Sequence, residues 1–374
     1  MKVLMQGRVE LFTVGGGDKV QIENTAKELK RLGVEVDIKT DLNLDVSSYD
    51  LVHVFQLDWT PETFFFAKNA KKYNKPLILS PIHHSVKEVK KFDDEYVFDF
   101  RRISKLLFKN QHARDTFKNI YRSFFTSKKI VPTVKSMFMG LENMHKRTLQ
   151  MADMVLVQTE AEARDLKDTY NVDFKWQKIP NGVATHFLER KFFANFFEFT
   201  DYILCVGRIE PRKNQLKIIE AVANFRKKHN LDTRLVLIGA VRPDRHPEFT
   251  IRFNLTLKKY PWIRHIEKLD YIDMPSVYRY AKVTVSASWF ETTGLTLLES
   301  LFCGTNSVAA GERAKEYLGN YVSYCLPDSV KSIEQAIEKE YFAPRPQVES
   351  HMLQEYTWEN AAKKTLDVYR QFIK

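Results

Sequence analysis

Only three cysteines occur in 374 residues, which excludes a disulfide-stapled scaffold, and Cys205, Cys303 and Cys325 fall at no metal-ligand or redox spacing. That usage suits a reducing compartment, and cysteines set in apolar stretches read as small core residues. No apolar run approaches the ~20 residues needed to span a bilayer. The start Met1-Lys2-Val3-Leu4-Met5-Gln6 is too short for a secretory signal, so the expected location is cytoplasmic. No Asp-x-Asp pair follows an apolar strand where it would hold a metal against a diphosphate; Asp93-Asp94 lies in a charged stretch and reads as surface. A dinucleotide fingerprint with full glycine spacing is missing as well, so no nicotinamide cofactor is expected. What is present is a 44% hydrophobic chain, globular in composition and long enough for two cores. The net charge of +11 and 13% aromatic content raise a nucleic-acid-binding reading. It ranks last, because the basic residues are spread over helices with acidic ones between them and no binding module is recognisable.

The stretch Lys282 to Gly304 carries the most chemistry. Val283 to Val285 reads as a buried strand, and Leu295, Leu298 and Phe302 fall at helical spacing behind Gly294. A sharp turn between them sets the N–H groups of Gly294, Leu295 and Thr296 at a helix N-terminus, where an anion is favoured. Glu291 stands at the mouth of the turn, and Glu299 lies in the helix about 7 Å beyond Gly294, at about 1.5 Å per residue. A second strand-loop-helix unit runs from Tyr202 to Val222, with Asn214 placed to cap its helix. Arg208 and Lys213 flank its loop, two cations suited to the charge that develops on a departing diphosphate.

The pair Glu291-x7-Glu299 resembles the E-x7-E signature of retaining glycosyltransferases of family four, and Gly207-Arg208-x4-Lys213 resembles the same family's Gly-Arg-x4-Lys pattern. The resemblance implies an α/β chain of the GT-B fold, two doubly wound Rossmann-like domains facing an interdomain cleft. It implies transfer of a sugar from a nucleoside diphosphate sugar to a hydroxyl acceptor with retention, the leaving phosphate taking the acceptor proton. Glu291 would lie by the donor sugar, Glu299 on the ribose hydroxyls, and Arg208, Lys213 and the amides of Gly294, Leu295 and Thr296 on the diphosphate. No metal and no cofactor beyond the donor are implied. The chain departs from the family in reading Glu291-Thr292-Thr293-Gly294 where Glu-Gly-Phe-Gly is usual, and in Asn306 where proline is usual.

The amino-terminal half supplies a strand at Val3 to Gln6, the glycines Gly15, Gly16 and Gly17, a helix carrying Ile22, Ala26 and Leu29 on one face, and a strand from Val34. This is a βαβ unit. Its glycine loop resembles the one that family-four enzymes place over the donor phosphates. Leu77 to Ile82 reads as a buried strand ending in His83 and His84. Adjacent histidines on an extended chain point to opposite faces, so they are not expected to share one metal ion. The resemblance makes His83 a hydrogen-bonding residue at the donor sugar and leaves His84 without a role.

The Pro180-Asn181-Gly182 break resembles the family's linker between domains. The resemblance implies an amino-terminal domain, 1–180, and a nucleotide-sugar domain, 181–356, with the capped amphipathic helix 357–374 returning to the first domain. Strands are expected at 3–6, 34–39, 51–55, 77–82, 154–158 and 176–179, then at 202–206, 235–239, 283–286 and 322–325. Alternation with helices gives parallel sheets. The same architecture hosts sugar-nucleotide epimerases and hydrolases, the alternative enzyme class, but no acid and base pair stands out beyond His83 and Glu291. Between Val86 and Arg147, lysines and arginines are interleaved with phenylalanines such as Phe92, Phe98, Phe100 and Phe108. That mixture suits an anionic membrane surface, or equally rings packed inward with solvated lysines on the far face. The resemblance favours the first, since it implies a lipid-linked glycan acceptor met at the inner face of the plasma membrane.

Overall fold

The computed structural model describes residues 1–13, 15–58, 61–96, 98, 114, 130–189 and 195–373. The chain divides into two compact units, one of Met1–Lys87, Ile103–Gly182 and Thr357–Lys374, the other of Glu88–Arg102 and Val183–Tyr356.

The first unit is built on six parallel strands, β1 (Lys2–Gln6), β2 (Glu35–Lys39), β3 (Leu51–Phe55), β4 (Leu77–Ser80), β5 (Met154–Val157) and β6 (Trp176–Lys178), in the order β2-β1-β3-β4-β5-β6. A parallel strand covered on both faces is apolar throughout, and every residue of β3 is buried. His53 at its centre is the exception in polarity. Burial pushes its imidazole down to about 3, so it stays neutral, and it bridges the Tyr369 hydroxyl at 2.6 Å and the Ser80 hydroxyl at 2.9 Å. Tyr369 belongs to the last helix, Trp358–Arg370, which packs on the helix Gly17–Arg31. Thr357 caps that last helix by accepting from the Asn360 amide at 3.2 Å. The chain passes this helix start so closely that a β-carbon on Gly182 would lie 2.1 Å from Thr357 backbone.

The second unit carries β7 (Tyr202–Val206), β8 (Leu235–Ile238), β9 (Ile263–Ile266), β10 (Ala281–Val285), β11 (Asn306–Ala310) and β12 (Ser323–Cys325), all parallel, in the order β12-β11-β10-β7-β8-β9. Two of these strands, β9 and β11, lie outside the sequence expectation. β9 is an edge strand with only two apolar residues, and in β11 Val308 is the one strong strand former among small and polar residues. Pairing with neighbours on both sides makes β11 a strand, and Asn306 ties it down by donating to the carbonyls of Glu340 at 2.7 Å and Ala343 at 3.1 Å. Asn214 also departs from expectation. It holds a left-handed backbone at φ 65° and makes no side-chain cap; its amide donates instead to the carbonyls of Ala287 at 3.1 Å and Pro327 at 2.7 Å.

Part of the basic, aromatic segment after Val86 belongs to this second unit. Phe92 meets Trp289 and Phe290 with ring centroids 6.0 and 5.6 Å apart, Phe98 meets Phe249 at 5.3 Å, and Lys91 pairs with Asp328 at 2.6 Å. Those rings therefore serve the protein interior and not a membrane. Residues 99–113 and 115–129, which hold most of the cations and rings of that segment including Phe100 and Phe108, lie outside the described residues.

The close approach of the β7 and β8 ends depends on Gly239. Its φ is +151°, and an added β-carbon would lie 2.1 Å from the Gly207 carbonyl oxygen. Gly239→Ala should destabilise the protein by roughly 2 kcal/mol or more, since neither backbone can yield without strain. Gly15→Ala, where a β-carbon meets nothing within 4 Å, should stay within about 0.5 kcal/mol of the parent. Denaturant titrations of the two variants compare these directly.

Candidate active site

In the second unit β7 leads to β8 on one side and β10 leads to β11 on the other, so the loops beyond their carboxyl ends diverge and leave an opening. The loop after β7 presents Arg208, Glu210, Arg212 and Lys213; the loop after β10 presents Phe290, Glu291 and Gly294. Backbone stitches the two together where the Trp289 amide donates to the Arg212 carbonyl at 3.0 Å.

Charge completes the connection. Lys213 donates to one carboxylate oxygen of Glu291, and Arg212 approaches the other at 3.4 Å. Arg212 also donates to the Phe290 carbonyl at 3.2 Å and, through two nitrogens, to Glu210 at 3.1 and 3.2 Å. Arg208 reaches the same Glu210 oxygen at 3.3 Å. Burial alone would raise the Glu291 carboxyl, but the fields of Lys213 and Arg212 outweigh it and hold the group at about 2. Burial likewise opposes ionisation of Glu210, yet Arg212 and Arg208 keep it below its ordinary value. For Lys213 burial wins, and the ammonium lies below its usual range despite Glu291.

Glu299 sits apart from these cations on the helix Leu295–Phe302. Tyr271 donates to one of its oxygens at 2.7 Å and Tyr278 to the other at 2.8 Å. Among the described residues no cation holds it, so burial pushes its carboxyl up to about 7, with the tyrosines only partly offsetting the rise.

Residues 188–342 match the family described as Glycosyl transferases group 1. That match covers most of residues 183–356, the main segment of the second unit. The chain is 25% identical over 180 residues to the O-antigen chain mannosyltransferase B of Escherichia coli, covering 45% of each. It is 27% identical over 184 residues to the D-inositol 3-phosphate glycosyltransferase of Streptosporangium roseum, covering 44% of this chain and 41% of that one. The chain thus spans less than half the length of these curated relatives. Solved structures share the fold throughout: sucrose-phosphate synthase from Thermosynechococcus elongatus has a TM-score of 0.72 at 16% identity over 99% of both chains. Anabaena HepE in complex with UDP and glucose has a TM-score of 0.66 at 13% identity, over 99% of this chain and 100% of that one. The fold is GT-B.

Within the second unit the groups expected to meet an anion are arranged differently from the sequence expectation. The Gly294 amide is not open to a ligand, because it donates to the Tyr317 hydroxyl at 2.6 Å. The Leu295 amide donates to the Thr293 carbonyl at 3.1 Å. Two of the three amides assigned to a diphosphate are therefore engaged within the unit, and Tyr317 is what a ligand would displace. Arg208 and Lys213 flank the loop as their spacing predicts, but each faces a carboxylate. Glu210, Arg212, Tyr271, Tyr278 and Tyr317 were not singled out from the sequence; for Glu210 and Arg212 the available signal was the alternation of charge in Arg208-Ile-Glu210-Pro-Arg212-Lys213.

In the first unit the corresponding divergence lies between β1 and β3. Past β1, Gly16 gives way to Asp18, whose carboxylate Arg8 grips at 2.5 and 3.2 Å. A β-carbon on Gly16 would come within 2.7 Å of that carboxylate, whereas Gly15 and Gly17 face open space. Past β3, Asp58 accepts from His83 at one oxygen and from His84 at the other, the latter at 2.9 Å, while the His84 amide adds a bond of 2.6 Å. The expectation that the two rings diverge is thus overturned. Ile82 takes φ 48°, a left-handed conformation that breaks the extended chain and turns both imidazoles to one carboxylate. Glu162 anchors the bend by accepting from the His83 amide at 2.6 Å. His83 is 1% exposed, whereas the His84 side chain is 12% exposed and is the ring nearer the surface. Among the described residues no group of three His, Cys, Asp or Glu side chains is placed to hold a metal ion.

The raised carboxyl of Glu299 has a measurable consequence. Its ionised form is the disfavoured one in the folded chain, so no penalty exists below the ordinary value of 4.5, and the penalty grows as pH rises through about 7. The melting temperature of Glu299→Gln relative to the parent should therefore rise between pH 4.5 and 7 and level off above it. A pH series of thermal melts on both proteins checks the sign.

Proposed function

We propose that the protein transfers a sugar from a nucleoside diphosphate sugar to a hydroxyl acceptor, with retention of the anomeric configuration. The observation that carries this reading is the assembly of Arg208, Arg212 and Lys213 with Glu210 and Glu291 at the divergence of β7 and β10 in a segment that matches the group 1 glycosyl transferases. Three cations against two carboxylates leave net positive charge for a diphosphate. HepE, solved with UDP-glucose, supports the donor class.

In this reading the bond from the sugar C1 to the β-phosphate oxygen breaks, and that oxygen leaves with the electron pair. Arg208 and Lys213 neutralise the charge as it develops, so they stabilise the transition state more than the bound donor. The acceptor oxygen bonds to C1 from the face the phosphate leaves, and its proton passes to the departing phosphate. Glu291 and His83 are assigned hydrogen bonds to the sugar, Glu299 the ribose hydroxyls, and the amides of Gly294 to Thr296 the diphosphate, which must displace Tyr317 from Gly294 and the Thr293 carbonyl from Leu295. Gly15 to Gly17 are assigned the phosphate-side loop of the first unit. With fixed cations in that role, no divalent ion is required by the proposal.

Lys213→Ala and Glu299→Ala should each weaken nucleoside diphosphate binding roughly 10- to 100-fold in calorimetric titration, the value of a charged hydrogen bond. Transfer should survive a chelator, and the product's anomeric proton coupling should match the donor's. Unchanged affinity in both variants, or an inverted coupling, refutes the reading.

For the acceptor we propose a glycan on a lipid carrier, met by a cytoplasmic protein at an anionic membrane surface. What supports this is the net charge of +11 and the helix Ile130–Met139, where Phe138 is 88% and Met137 56% exposed beside Lys135. No helix of the described residues is long and apolar enough to cross a membrane. Phe138→Asp should abolish flotation with anionic liposomes at low salt; a parent chain that never floats leaves a glycan free in solution as acceptor.

A further inference from the structure

Arg212 and Lys213 share Glu291 but are held very differently. Arg212 is fixed at Glu210, at the Phe290 carbonyl and at Glu291, its guanidinium lies 5.3 Å from the Phe290 ring centre, and its own carbonyl accepts from Trp289. Lys213 reaches Glu291 on a four-carbon stem lying over Gly207, with its Cε 3.6 Å from where a β-carbon would stand. Among the described residues the Lys213 ammonium has Glu291 as its sole partner. The guanidinium has three.

A nucleoside diphosphate that draws Lys213 away takes one of the two cations from Glu291, whose side chain is only 17% exposed. An uncompensated buried carboxylate is costly and would pull the lysine back. We propose that Arg212 is a positioning residue that acts as the resident counter-ion of Glu291, keeping that carboxylate ionised and in place while Lys213 is released to the diphosphate. This deepens the transferase reading and rests on its assignment of Lys213 to phosphate. The carboxylate is then a competitor for the lysine, and Arg212 weakens the competition.

The test is a double-mutant cycle read by calorimetric titration, using whichever of UDP, GDP, ADP or dTDP most raises the parent's melting temperature. Arg212→Gln should weaken binding about tenfold, because Glu291 then retains Lys213. Adding Glu291→Gln should restore affinity to within about threefold of Glu291→Gln alone, since no carboxylate remains to compete. Arg212→Lys keeps the charge and should lose less than Arg212→Gln. If Arg212→Gln does not fold, Arg212→Lys with and without Glu291→Gln carries the same cycle, with a smaller loss that is again relieved. A merely structural arginine predicts a loss that persists in the double variant. That result, or parent affinity in Arg212→Gln, overturns the proposal while a weakened Lys213→Ala leaves the transferase reading standing. If Lys213→Ala alone binds like the parent, the proposal falls; if Glu299→Ala does so too, or the parent binds none of the four nucleotides, the reading itself falls with it.

Discussion

A buried carboxylate shared by two cations joins the loops on which the site depends. Glu291 follows β10, Lys213 and Arg212 follow β7, and their ion pairs connect residues 78 and 79 apart in the chain. Each charge would be expensive to bury alone, so the set is stable only as a set. Removing one member leaves the others uncompensated, which makes the network a constraint on loop geometry as much as a source of attraction. The strand order supplies the opening in which it assembles, and Gly239 allows the β7 and β8 ends to approach closely.

The two glutamates of the eight-residue spacing live in opposite electrostatic settings. Glu291 is surrounded by fixed cations and stays ionised, held at about 2. Glu299, bound by the hydroxyls of Tyr271 and Tyr278, is raised to about 7. A strongly ionised carboxylate suits a place beside cations. A nearly neutral one suits neutral hydroxyl partners, which the tyrosines already are. The division follows from which helix and loop carry each residue and not from residue type.

Strain in the first unit is concentrated where its polar groups converge. A β-branched residue at φ 48°, Ile82, is costly, and it persists because Asp58 and Glu162 hold both sides of the bend. Burial raises and the two histidines lower the Asp58 carboxyl, and the histidines prevail. His83 is thereby locked in orientation, and His84 is bound to the same carboxylate.

Ten of the twelve strands and their parallel arrangement were legible because a βαβ unit announces itself locally, through apolar runs, glycine turns and helical periodicity within a few dozen residues. The positions of Arg208, Lys213, Glu291 and Glu299 on their loops and helix were legible for the same reason. The edge strand β9 and the small-residue strand β11 were not, since neighbours and not their own composition make them strands. Partner choice was also beyond local reading. That Tyr317 takes the Gly294 amide, that Arg212 grips Glu291, or that Tyr369 meets His53 across 316 residues depends on long-range packing. By itself the sequence determined the units of secondary structure and the identity of the charges, because those depend on near neighbours. Tertiary structure alone decided which charges meet, because an ion pair's worth is set by burial and distance, and both arise only when the distant segments close together.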